Sequence, residues 1–162
     1  MVDAEILWEK EMTDLLAGIC SGRLVELYQY WQRKHPTAEL LPSRACIDPL
    51  DIPALLPWLI LFELGQRPED VRYRLIGTKV VERIGKDLTG RLVAEGYWGE
   101  QSREIVGRYW RVAQTRLPEF SLRRVRGADG NWHQYEFLLL PLASDGVKVD
   151  MLLAGVGFLD LL

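Results

Sequence analysis

Cys20 stands within Gly18-Ile19-Cys20-Ser21-Gly22. In a hydrolase this G-x-C-x-G spacing would hold a nucleophilic thiolate on a sharp strand-to-helix turn. Here an apolar helical pattern precedes it rather than a strand, so the reading that fits the context is a structural cysteine near a helix bend. Histidine occurs only as His35 and His133, too few to build the usual two- or three-histidine metal site, and no metal ligands are assigned. His133 alternates with Tyr135, Phe137 and Leu139, which puts it on one strand face with three large apolar groups. It could reach a ligand there or sit half-exposed near a hairpin end, and the second reading is preferred. A general base would have to come from His133, Asp87 or Glu136, and no acid and base pair stands at a supportive spacing, so no catalytic residue is assigned. Gly155-Val156-Gly157 has no helix after it, so it is a crowding relief within a strand rather than a dinucleotide fingerprint.

Two further groups bear on binding rather than on reaction. Arg116, Arg123, Arg124 and Arg126 form a basic cluster that could hold an acidic ligand, although Glu119 and Asp129 flank it and a solvated face is the plainer reading. Tyr97, Trp98, Tyr109, Trp110 and Trp132 fall in or beside a helical insert and a strand meander that would face one another. Aromatic walls with a polar edge suit a small-molecule pocket, and equally a filled core.

The elements that must position these groups are readable from their periods. Apolar residues recur at three- and four-residue steps from Leu7 to His35, with Gly18 and Gly22 predicting two helices or a bend near Cys20 to Arg23. His35-Pro36 ends this run, and the prolines from Pro42 to Pro57 predict short turns, with Asp48 capping a helical turn that starts at Pro49. Leu59 to Leu64 and Val71 to Gly77 read as a hairpin of two strands. Thr78 is expected to cap a helix over Lys79 to Ile84, closed by Gly85, and Gln101 to Thr115 carries an apolar stripe of Ile105, Tyr109, Val112 and Ala113. Glu119 to Val125, Trp132 to Leu142 and Val147 to Leu159 form three strand patterns broken by Gly127-Ala128-Asp129-Gly130 and Ser144-Asp145-Gly146, which predicts an antiparallel meander.

Composition narrows the classes. The 162 residues are 48% hydrophobic and 27% charged, enough for one core, and the net charge of -3 gives no general attraction to nucleic acid or to an anionic membrane. Two distant cysteines do not make a disulfide framework, the acidic start is unlike a secretory signal, and no apolar run is long enough to span a bilayer. A cytoplasmic protein is expected.

Arg74-Leu75-Ile76-Gly77-Thr78 leading into Ile84-Gly85-Lys86-Asp87-Leu88-Thr89-Gly90 resembles the strand-to-helix passage of PAS cores. Leu139-Leu140-Pro141-Leu142, Asp145-Gly146 and Met151-Leu152-Leu153 resemble the last two strands of a bacterial PAS subfamily of stand-alone proteins of unknown function, and Leu41-Pro42-Ser43-Arg44 with Ile47-Asp48-Pro49 resembles its lead-in. The resemblance implies an α+β fold: a five-stranded antiparallel sheet with helices on one face, a PAS-like domain over 39–162, and an N-terminal helical extension over 1–38. It also implies a concave side that can enclose a small ligand; the cofactor is left unknown. Flavin photochemistry in this fold needs a cysteine on a helix after the first hairpin, and Cys20 and Cys46 both precede it. The ligand-pocket candidates are Tyr73, Leu75, Tyr97, Trp98, Ile105, Tyr109, Trp110, His133 and Tyr135.

The expected function is a sensory or regulatory module that binds a small molecule, a protein partner or both, without catalysis. A structural interaction module with a filled core and a small enzyme using the helix-lined pocket are the alternatives. Coupling is expected through the N-terminal helix, with Leu15, Ile19, Leu24, Leu27 and Trp31 as its homodimer or partner surface, although such a helix can equally fold back on its own sheet.

Overall fold

The computed structural model describes residues 14–95 and 102–161. Five strands, β1 (Leu59–Glu63), β2 (Arg72–Ile76), β3 (Glu119–Arg126), β4 (Trp132–Leu142) and β5 (Met151–Phe158), form one sheet in the order β2-β1-β5-β4-β3, each neighbouring pair antiparallel. Among the described residues, the helices α1 (Gly22–Arg33), α2 (Thr78–Ile84) and α3 (Ser102–Thr115) cover it. Short 3-10 turns connect them, among them Pro49–Asp51, where Asp48 accepts the Leu50 N–H at 2.9 Å as the cap. Helix α2 starts on Gly77 and not on a Thr78 cap; Gly77 lies so close to Pro57 that a Cβ would fall 2.3 Å from its carbonyl oxygen.

The alternation of side chains along a strand sends Ile60, Phe62, Phe137 and Val156 to an inner face and Leu138, Gly155 and Gly157 to an outer face. Helices α2 and α3 lie over the inner face. Helix α1 lies over the outer one, and β4 is therefore buried without interruption from Tyr135 to Leu142.

The outer face explains the glycine pair in β5. A Cβ on Gly155 would fall 2.6 Å from Leu24 and one on Gly157 would fall 2.8 Å from Ser21, so their bare backbone is what lets α1 settle onto the sheet. Leu24, Leu27, Tyr28 and Trp31 are fully buried there, and the Trp31 indole N–H donates to the Pro141 carbonyl at 2.9 Å. Burying each large apolar side chain contributes roughly 1.5–3 kcal/mol. These contacts correct the expectation of a partner surface on α1: Leu24, Leu27 and Trp31, with Ile19 before them, belong to the core of their own chain, and Leu15 packs partly buried against it.

The helical pattern breaks at Gly18 to Ser21, as the glycines require. The break leaves backbone donors free at the start of α1, and Glu136 on β4 accepts them: its carboxylate receives the Cys20 N–H at 3.0 Å and the Ser21 N–H at 3.1 Å. Glu136 is wholly buried and belongs to the outer face. At the far edge of the sheet, the chain after Asp87 runs back along β2, with the Tyr73 N–H donating to the Arg91 carbonyl and the Gly90 N–H to the Tyr73 carbonyl.

Candidate ligand cavity

The inner face does not close completely. Between the sheet and α3 lies a void of about 20 Å³. Strand β1 contributes Ile60 and Phe62, β2 contributes Tyr73, α2 contributes Val80 and α3 contributes Ile105 and Tyr109. The other wall is Arg123 and Val125 of β3, Tyr135 and Phe137 of β4, and Val156 and Phe158 of β5. The rings are in mutual contact: Tyr109 lies 4.7 Å from Phe62 and stacks on Phe137 at 6.0 Å, while Tyr135 lies 5.6 Å from Phe158.

Arg123 is the one charged group of this lining. Its ladder partner is Tyr135, which fixes both on the inner face. The guanidinium lies over the Phe137 ring at 4.0 Å, donates from Nε to Ser121 Oγ at 3.0 Å and from Nη1 to the Tyr109 hydroxyl at 3.1 Å. Its Nη2 is buried with no hydrogen-bond partner. Burial pushes the Tyr109 phenol upward and carries the Tyr135 phenol up to about 12, so both hydroxyls keep their protons at neutral pH. Burial acts against the Arg123 charge too, but the neighbouring Tyr109 and Tyr135 outweigh it and its pKa is raised overall.

Of the ligand-pocket candidates, the structure brings Tyr73, Ile105, Tyr109 and Tyr135 together at this void. Tyr97 and Trp98 lie outside the described residues. Leu75 is corrected: it is half-exposed, because the β1–β2 register shifts between Leu61 and Phe62. Leu61 faces Leu75 and Phe62 faces Tyr73, so one extra residue, Arg74, puts Tyr73 and Ile76 on the buried side and turns Leu75 away. Trp110 is also corrected, since it packs partly buried on the core without lining the void. His133 sits beyond the cavity end, its Nε2 hydrogen-bonded at 2.9 Å to Asp129, whose carboxyl that contact holds down at about 2. Trp132 faces outward, 64% exposed, with the Arg124 guanidinium 5.5 Å from its ring.

The lining residues absent from those candidates are Ile60, Phe62, Val80, Val125, Phe137, Val156 and Phe158, together with Arg123 as a single inward group. The signal for Arg123 was parity: it sits two residues before Val125 and opposite Tyr135, whereas Arg124 and Arg126 take the other face. The three candidate bases do not converge. His133 is bonded to Asp129, Asp87 caps the Thr89 turn, and Glu136 lies on the face opposite the cavity. Neither Cys20 nor Cys46 lines the void. Among the described residues, no group of His, Cys, Asp and Glu is placed to hold a metal ion.

A sheet of this order, with helices closing its inner face over a small void, calls for comparison with known proteins. The sequence profile of the PAS domain matches residues 21–156. The chain belongs to the PAS family. Solved structures agree on the fold. VqmA bound to DPO is 20% identical with a TM-score of 0.54 over 70% of this chain and 57% of that one. A Vibrio cholerae VqmA dimer is 20% identical with a TM-score of 0.52 over 68% of this chain and 49% of that one. A point variant of RsLOV is 14% identical with a TM-score of 0.52 over 68% of this chain and 66% of that one. This PAS chain therefore spans less than two thirds of each of these relatives. At such identities the likeness is one of fold. No curated protein sequence matches the chain. No helix among the described residues is long and apolar enough to cross a membrane.

Proposed function

We propose that this chain is a sensory PAS domain that takes a small molecule between α3 and the inner face of the sheet and signals through its packing, without catalysing a reaction. The observation that carries this reading is the void itself, lined by aromatic rings from both layers and holding a buried, incompletely bonded guanidinium. VqmA, which shares the fold, has been solved bound to DPO, and that supports a small-molecule role for this chain. Strands β4 and β5 carry cavity residues on one face and hold α1 on the other, so a ligand that shifts Phe137 or Val156 also acts on the seat of Leu24 and Leu27.

Native mass spectrometry of freshly purified protein beside its denatured spectrum tests this. The expected result is a non-covalent small mass that denaturation releases. A protein that carries no such mass, and whose melting temperature no compound in a broad metabolite panel raises, would overturn the sensor reading. It would favour a second one, a cytoplasmic interaction module whose output is homodimerisation or partner binding. The size of the void supports that alternative, because about 20 Å³ accommodates roughly one water.

A further inference from the structure

The polar inventory of the cavity is one-sided. Its lining offers a guanidinium and three tyrosines and contains no carboxylate and no side-chain amide. The nearest acidic side chain on the same strand face, Glu119, is directed to Arg108 at 3.9 Å. Arg123 spends Nε on Ser121 and Nη1 on Tyr109, Phe137 covers one face of its plane and the Tyr135 hydroxyl lies beside the guanidinium, while Nη2 is buried with no hydrogen-bond partner of its own. A buried cationic donor without an acceptor is costly, and a charged acceptor recovers more of that cost than a neutral one. The remaining walls are aliphatic and aromatic, so a group that is polar on every side, such as free phosphate, would be desolvated without return.

We propose that the cavity receives a small monocarboxylic acid with a short apolar body, its carboxylate held by the Nη2 edge of Arg123. The proposal rests on the reading of this void as a ligand site. The void as it stands holds about one water, so α3 moves outward to admit the acid, with the carboxylate at Arg123 and the body among Ile105, Val125 and Val156. The Tyr135 hydroxyl, kept protonated by burial, is available as a second donor to the same group.

The test is an NMR titration of the full chain, following the methyl signals of Ile105, Val125 and Val156. Acetate, isobutyrate and benzoate are compared at neutral pH with acetamide, isobutyramide and benzamide, which match them in shape and lack the charge. The expected result is saturable movement of these methyls with at least one acid, a dissociation constant at least about tenfold weaker for its amide, and a similar weakening in Arg123→Gln. Acid and amide binding equally would sink the carboxylate assignment and leave the ligand site standing. The comparison of acid with amide on the unaltered chain decides this even if Arg123→Gln folds poorly, and Tyr109→Phe, which keeps the ring packing, provides a second variant. Should no acid and no amide move any of the three methyls, the carboxylate assignment and the site reading both fail.

Discussion

Glu136 and Arg123 are charges on adjacent strands, the first wholly buried and the second partly, and they face opposite sides of the sheet. Glu136 is opposite Leu122 in the β3–β4 ladder, one residue from Arg123. On the outer face the carboxylate meets two backbone N–H groups at the broken start of α1, and the helix closes over it without a gap. On the inner face the guanidinium is bonded through two of its nitrogens, the third is buried without a partner, and the residue lines the void. One charge completes a structure, and the other is left for something to complete. The outer face holds α1 to the sheet, although the Ser21 and Tyr28 hydroxyls are buried there without a partner, while on the inner face the unbonded nitrogen belongs to a residue that lines the void.

The contrast can be broken by mutation. Glu136→Ala leaves the buried Ser21 N–H and the part-buried Cys20 N–H without their acceptor and should lower unfolding stability by roughly 1–3 kcal/mol, read from urea denaturation; a loss below about 0.5 kcal/mol would mean that the carboxylate does not anchor α1. Arg123→Met removes a partly unpaired charge and keeps an apolar stem, so apo stability should change by less than about 1 kcal/mol in either direction. A loss as large as that of Glu136→Ala would erase the difference between the two faces.

The smallest effect is one of pH. Burial at the end of α1 lowers the His35 pKa below its ordinary 6.5, against the opposing hydrogen bonds from its ring to the Trp31 and Gln32 carbonyls. The folded state thus prefers the neutral ring. Its contribution is complete above about pH 6.5 and is lost as pH falls from there through the depressed value. Replacement by glutamine, His35→Gln, should flatten the fall in urea midpoint between about pH 7.5 and 5. An unchanged slope would assign that fall to other groups.

Much of the fold was legible because the sequence changes period where the elements change: from three- and four-residue steps in α1, to short strands, to the stripe of α3, to a meander cut by turn glycines. Gly85, Gly130 and Gly146 take the positive φ that such turns require. The PAS resemblance added the single five-stranded antiparallel sheet with helices on one face, which periodicity does not contain. The site was less legible. Tyr73, Ile105, Tyr109 and Tyr135 follow from face patterns, but Leu75 does not, because a one-residue bulge reverses every inference downstream of it. Arg123 was hidden by its neighbours: a run of arginines reads as a solvated surface, and only the pairing with Tyr135 separates the inward one from Arg124 and Arg126. The apolar stripe of α1 suits a foreign partner and its own sheet equally, and the cue that decides between them was distant, in Gly155 and Gly157.

The return of the chain along β2 also limits how copies of the molecule can aggregate. With residues 90–93 hydrogen-bonded to Val71 and Tyr73, that margin of the sheet is occupied by the protein itself. Among the described residues β3 is the remaining margin, and it carries the exposed Arg124 and Arg126 on its outward side. Two copies aligning these margins would bring like charges together, so β3 is guarded against open-ended strand stacking.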